Sequence, residues 1–261
     1  MDKRFTKTIE MPDSTLNLKS PSQLNLEYRL LDAMDEELIL DAAECLSETL
    51  VETDSCRGKI SEPMVNALGL SKRDMFEFAL KCIRDLVVHE LSFVALDKKT
   101  NRVVAVVVSE NFDPEKKNFS FKGSLAPMND IVDFLAEIDN RFLNTVQFKT
   151  GCMAEKNEYV QVFMCGSRLA KFRGYVIAKL IKLIMDRARK NGYKGIFAKT
   201  TTSGYAKIFT EYHNFHLVYD KENKPILKTF SSVEALKKIP PEISEDCRIF
   251  YRALGNDRTL L

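Results

Sequence analysis

The sequence has no tryptophan, three histidines, 10 glycines and 8 prolines among its 261 residues. So little glycine and proline excludes a collagen-like or low-complexity chain. Neither sign of charge is in excess: 39 Lys and Arg face 37 Asp and Glu, a formal net of +2. A dedicated nucleic-acid binder shows a basic excess, so no nucleic-acid partner is expected. No apolar run approaches the ~20 residues of a membrane-spanning helix, and no membrane partner is expected. The longest run, Arg102–Ser109, is β-branched and flanked by charge, and reads as a buried strand. The segment Met1–Thr8 has no apolar stretch of the leader type, so no secretory signal is expected. The six cysteines are widely spaced and join the histidines in no short-paired zinc pattern, so neither a disulfide framework nor a metal site is expected. Reduced, mostly buried thiols in a cytoplasmic protein are the expectation.

What is present is ordinary globular composition, 45% apolar and 29% charged. Residues 1–24 are polar, carry Pro12 and Pro21, and read as a flexible N-terminal arm. Residues 25–261 read as a single domain. Leu26–Leu31 suggests a strand, and the spacing of Leu38, Ile39, Ala42, Ala43, Leu46 and Leu50 predicts a helix within 32–51. Glu52–Lys59 reads as a polar loop, followed by a short helix ending near Gly69. Ser71 is placed to cap a helix over 72–90. Leu91–Asp97 and Arg102–Ser109 form a hairpin, Met128–Phe148 a helix and Glu158–Cys165 a strand. The pattern then gives a helix over Val176–Asn191, a strand over Lys194–Lys199, a short helix from Ser203 to Tyr212, and strands at Phe215–Tyr219 and Arg248–Leu254. One mixed α/β sheet with helices on both faces accommodates this order.

Three segments carry residues suited to chemistry. Arg173-Gly174 precedes a helix, where unpaired backbone N–H groups and the dipole favour an anion and Arg adds a charge-assisted hydrogen bond. Plain turn chemistry is the other reading. Glu62 precedes Pro63; its carboxylate is either a proton acceptor for an incoming amine or a first-turn acid at a helix start. The run Lys199-Thr200-Thr201-Thr202-Ser203-Gly204-Tyr205 places hydroxyls beside a strand end, serving either as caps or as proton donors. His213 and His216 are further titratable candidates, and His89 sits near a helix end. Cys165 reads as core, because no base partner for a nucleophilic thiol is visible. Arg187, Arg189, Lys190 and Lys194 read as a solvated helix end.

Taken together, these segments resemble the GNAT superfamily of N-acetyltransferases over roughly Leu26–Leu254. Arg173 and Ala178 match the first and last positions of that family's acetyl-CoA pyrophosphate loop, while Val176 replaces its central glycine. The stretch Ile60–Leu70 is similar to the Asp-Glu-Pro-Leu segment of insect arylalkylamine (dopamine) N-acetyltransferases, where the Glu is the proposed base. The run after Lys199 is similar to the segment of those enzymes that carries catalytic Ser residues; Thr201 and Tyr205 align with them. Phe209 occupies the usual position of the family's acid tyrosine, Asn214 replaces a Gly before Phe215, and the helix between is one residue longer.

The resemblance implies a GNAT-like, mostly antiparallel sheet splayed between its fourth and fifth strands, here Glu158–Arg168 and Lys194–Lys199. It implies acetyl-CoA as cosubstrate and a small primary amine as acceptor, attacking directly. The implied catalytic residues are Glu62, Thr201 and Tyr205. The implied cofactor-binding residues are Arg168, Arg173, Gly174, Tyr175, Val176, Ile177 and Ala178. Phe112, Phe119, Phe121 and Tyr205 are available as aromatic walls. A degraded module that binds CoA, a metabolite or a protein is the alternative, and acylation of protein Lys or N-termini a third reading.

Overall fold

A computed structural model describes residues 24–55, 58–115, 120–255 and 260. The expected arm at 1–24 lies almost entirely outside the described residues, as do Cys56 and Phe119. Strands β1 (Leu26–Leu30), β4 (Phe93–Asp97), β5 (Arg102–Asn111), β6 (Tyr159–Ser167), β7 (Gly195–Thr200), β10 (Asp246–Ala253) and β8 (His216–Leu217) lie side by side in that order. A further strand, β9 (Leu227–Thr229), also pairs with β10. Every pairing in this sheet is antiparallel except β6 with β7.

Strand side chains alternate between faces, and the sheet uses both. Ala105, Val107, Val160, Val162, Ile196 and Ala198 meet helix α5 (Arg173–Lys190) on one face. On the other, Val94, Val106 and Val108 meet α1 (Glu36–Val51) and α3 (Lys72–Leu86). Phe197, Ile249 and Tyr251 meet α4 (Met128–Thr150) on that second face. The helices start where the sequence supplies caps. Asp35 accepts a hydrogen bond from the Leu38 N–H at 3.0 Å, and Ser71 and Asp74 form a reciprocal capping box.

Several boundaries differ from the sequence reading. The segment read as a polar loop is a small hairpin, β2 (Thr53–Ser55) with β3 (Gly58–Ile60). Helix α5 begins at Arg173 rather than Val176, because the Val176 N–H already donates to the Phe172 carbonyl at 3.0 Å. Thr202, not Ser203, is the residue before helix α6 (Ser203–Lys207). The strand expected at Phe215–Tyr219 is only the two residues of β8.

Two irregularities open the middle of the sheet. The parallel β6–β7 ladder ends at the Val162–Ala198 pair, although both strands continue beyond it. At the same place the β5–β6 register jumps from Val108–Met164 to Ser109–Val162, leaving Phe163 as an extra residue. Such a bulge bends its strand and increases its twist, so β6 turns away from β7. After α6 the chain widens into a π-helical turn over Ile208–Tyr212. A π-turn is a wider turn of the kind that takes up one additional residue. Asn214, in the expected glycine position, adopts a left-handed φ of 50°, a conformation Asn tolerates better than most residues.

Candidate active site

The gap between β6 and β7 leads into a cavity of about 140 Å³. Glu62, Thr201 and Tyr205 all line it, although Glu62 is about 140 residues before the run that carries the other two. Most of the remaining wall is apolar, including Met64, Met75, Phe78, Met128 and Ile131. Helices α2 (Pro63–Ala67), α3 and α4 supply that side.

Glu62 is fixed by its place in the chain. It precedes Pro63 at the first helical position of α2, and its Oε2 accepts the Val65 N–H at 2.9 Å. Proline needs no partner for its nitrogen, so the Glu-Pro pair makes a compact helix start. The other oxygen, Oε1, is closed off from solvent and has no hydrogen-bond partner within the described residues. Burial pushes the Glu62 carboxyl above its ordinary range. The Val65 N–H, the Thr201 hydroxyl and the Met64 N–H pull the other way without cancelling it. A carboxyl raised in this sense is suited to exchanging protons closer to neutrality.

Tyr205 faces Glu62's chamber from α6, on the other side of the gap. Its hydroxyl donates to the Cys165 carbonyl of β6 at 3.1 Å. Burial and the neighbouring Cys165 raise the phenol well above its usual value, so it keeps its proton and can act only as a donor in its resting form. Burial likewise pushes the Cys165 thiol up to about 12. A thiol so protonated is a poor nucleophile. Phe209 lines the same cavity and is fully buried.

The residues around the start of α5 divide into two groups. The N–H groups of Arg173, Gly174 and Tyr175 lie in the helix's first turn, where no intrahelical acceptor exists. Gly174 has room: a Cβ there would reach only the Ile208 side chain, at 4.0 Å. The Arg173 guanidinium donates to Thr53 Oγ1 at 3.2 Å and to the Asp54 carbonyl at 2.9 Å. It therefore ties the helix start to the β2–β3 hairpin that leads into Glu62. Val176 and Ile177 are fully buried beneath the helix and Ala178 nearly so. The bulk of Val176 thus lies in the core rather than over the helix start. Arg168 is engaged elsewhere. Its guanidinium binds Asp41 at 2.9 Å, Glu44 at 3.3 Å and Glu48 at 2.6 Å, and donates to the Val103 carbonyl. That network holds α1 to the sheet.

The histidines stand apart from the cavity. Burial lowers His213 to about 4, leaving it neutral at physiological pH, and His216 is exposed. His89 accepts the Asn111 N–H at 3.3 Å. Arg187 pairs with Glu90, Arg189 with Asp186 at 3.1 Å and Lys194 with Glu158, so the basic cluster is a braced helix end.

Sequence reasoning missed Lys199 and Asp139. Lys199 extends from β7 and binds both carboxylate oxygens of Asp139 on α4, at 2.6 and 2.5 Å. The available signal was an acid three residues before Phe142 on the apolar stripe of α4, opposite a lysine in an otherwise buried strand.

No family model and no curated protein sequence matches the chain. Its three-dimensional form does have counterparts. Arylalkylamine N-acetyltransferase 2 from the mosquito Aedes aegypti superimposes with a TM-score of 0.66 over 88% of this chain and 100% of its own, at 12% identity. A protein assigned as arylalkylamine N-acetyltransferase 7 from the same mosquito gives 0.66 over 88% of each chain, at 15% identity. The Drosophila melanogaster polyamine N-acetyltransferase, which forms N-acetylagmatine, gives 0.55 over 88% and 100%, at 15% identity. The mixed, mostly antiparallel sheet flanked by helices agrees with the expected architecture, and the chain has the fold of the GNAT N-acetyltransferases.

Proposed function

We propose that the protein is an acetyl-CoA-dependent N-acetyltransferase acting on a small primary amine, with arylalkylamines as the first class to test. The observation that carries this reading is the meeting of Glu62, Thr201 and Tyr205 in one cavity at the point where β6 and β7 part. Glu62 takes the proton that an ammonium group must lose before its nitrogen can attack a thioester. Thr201 lines the same wall, where its hydroxyl favours the charged form of the carboxylate. Tyr205 returns a proton to the departing thiolate. The first-turn N–H groups of α5 and the clear approach at Gly174 suit the pyrophosphate of acetyl-CoA. Holding both reactants in one cleft supplies much of the acceleration. Arg173 contributes to this site as a positioning residue, and Arg168 is assigned to holding α1.

Purified protein incubated with acetyl-CoA and a panel of amines tests the reading through release of free CoA. Turnover of at least one amine is expected. Absence of turnover together with absence of acetyl-CoA binding at about millimolar concentration, near −4 kcal/mol of binding free energy, would overturn it.

A second reading is a CoA-binding module without catalysis. It is favoured by Phe209, which stands fully buried where related enzymes carry an acid tyrosine. Calorimetric binding of CoA with no turnover of any amine would select it.

A further inference from the structure

The cavity does not end at the apolar chamber. A second chamber of about 200 Å³ adjoins it, and Gln161 stands in the wall of both. On β6 it lies between Tyr159 and Phe163, on the face that packs against α4, with Phe197 beside it on β7. Gln161 is only 3% exposed, yet its side-chain amide makes no hydrogen bond within the described residues. Two other part-buried amides are completed by the protein. Asn111 donates to Asn157 and accepts its N–H at 3.0 Å. Asn129 accepts the Phe121 N–H at 2.9 Å and donates to the Phe121 carbonyl at 3.0 Å. The acids around the second chamber are met as well. Lys156 pairs with Asp113 at 3.1 Å, Lys199 holds Asp139, and Glu110 has partners of its own. A buried amide with no partner is costly, and Leu or Met would fill the same space without that cost. Glu62 Oε1 in the first chamber apart, what the joined chambers offer in excess is therefore a neutral donor and acceptor rather than a charge.

We infer that Gln161 is a specificity-determining residue for the acceptor, and that the group it recognises is a carboxamide. The acceptor class is an ω-amino amide: the reacting nitrogen meets Glu62, an apolar chain lies along the shared wall, and the distal amide pairs with Gln161. Two carboxamides match because each supplies an N–H and a carbonyl, so two hydrogen bonds form side by side. A hydrocarbon end leaves the Gln161 amide unpaired. A second ammonium can donate to its oxygen but leaves its N–H groups without an acceptor. The inference rests on the transferase reading only in taking the first chamber as the place of the reacting nitrogen.

Calorimetric titration of the full chain, with CoA and without it, tests this independently of turnover. The probes are two amino amides, each against the branched hydrocarbon amine of the same shape: 4-aminobutanamide against 4-methylpentylamine, and 6-aminohexanamide against 6-methylheptylamine. In wild type, at least one amide is expected to bind about fivefold or more tighter than its hydrocarbon match. Gln161→Met, close in shape, should remove that preference through loss of amide affinity, with the hydrocarbon probes bound at least as well as before. Thermal unfolding should find the unliganded variant no less stable than wild type, since the amide removed had no partner. A purely structural role for Gln161 would lower stability and weaken both probes alike. The inference is overturned by that result, by a wild type in which neither amide reaches the fivefold preference, by binding of no probe, or by a preference that persists in Gln161→Met. Turnover of the same probes with acetyl-CoA separates the two claims. Acetylation without amide preference keeps the transferase and removes the subsite; amide-selective binding without acetylation does the reverse.

Discussion

Tyr205 donates its phenolic hydroxyl to the Cys165 carbonyl across the gap between β7's following helix and the outer half of β6, at 3.1 Å. The bond closes the place where β6 has lost its parallel partner. One residue thereby satisfies an exposed strand carbonyl and holds a proton beside the cavity. Tyr205→Phe keeps the ring and removes that proton. If Tyr205 is the acid, the turnover number falls by about a hundredfold or more while CoA affinity holds. If it only satisfies the carbonyl, stability falls by about 1 kcal/mol and turnover is unchanged. Steady-state kinetics beside denaturant unfolding tell the two apart.

Glu62 carries a prediction about pH. Its folded carboxyl holds a proton to higher pH than the ordinary value of 4.5, chiefly because it is buried. The folded state therefore binds more protons than the unfolded chain between those two values, and stability attributable to Glu62 declines as pH rises through that window. The deprotonated form is the one that accepts a proton, so activity should rise over the same window. Glu62→Gln can keep the cap on α2, since an amide oxygen also accepts the Val65 N–H. The variant should raise Tm at neutral pH, show little change at acid pH, and lower kcat/KM by about a hundredfold. A pH profile of wild type whose rise lies no higher than an ordinary carboxylate would remove Glu62 as the base.

The framework was legible in the sequence because it follows from periodicity. Helices α1, α3 and α4 and the β4–β5 hairpin each carry their pattern locally, and caps such as Ser71 mark their starts. The π-helical turn at Ile208–Tyr212 carries no local signal of that kind. The start of α5 was misread because Arg-Gly looks like a turn, whereas Phe172 already serves as the cap position. That three-residue difference decides whether Val176 faces a ligand or the core, and it faces the core. The ion pair of Lys199 with Asp139 lay out of reach, since its partners are 60 residues apart and only the packing of α4 on the sheet brings them together.

Arg168 provides a control on the cosubstrate site. Its side chain is 17% exposed and surrounded by Asp41, Glu44 and Glu48. Arg168→Met removes the cation that Asp41, Glu44 and Glu48 share at the junction of α1 with β5 and β6, leaving Arg102 on Asp41 and Glu44 and Lys72 on Glu48. Because Glu44 and Glu48 retain some solvent, the cost should be about 2 kcal/mol rather than the full value for a buried pair. CoA affinity of the folded fraction should be unchanged. A large loss of CoA binding without loss of stability would return Arg168 to the cofactor site.

Gly174 and Val176 test the helix start from opposite directions. The resemblance puts Val176 in the place of a loop glycine, yet its side chain is fully buried against the sheet. Val176→Gly removes buried carbons and adds a flexible residue inside α5, which together should cost about 3 kcal/mol in unfolding free energy with no gain in turnover. Gly174 presents the reverse case. Nothing in the protein requires its missing side chain, since a Cβ would reach only Ile208, at 4.0 Å. Gly174→Ala should therefore stabilise the helix, by up to about 1 kcal/mol. If a pyrophosphate approaches the first turn of α5, the added methyl obstructs it, and CoA affinity should fall by about tenfold even as Tm rises. Calorimetry and thermal unfolding on one preparation read both effects, and a stabilised variant with undiminished CoA affinity would place the anion elsewhere.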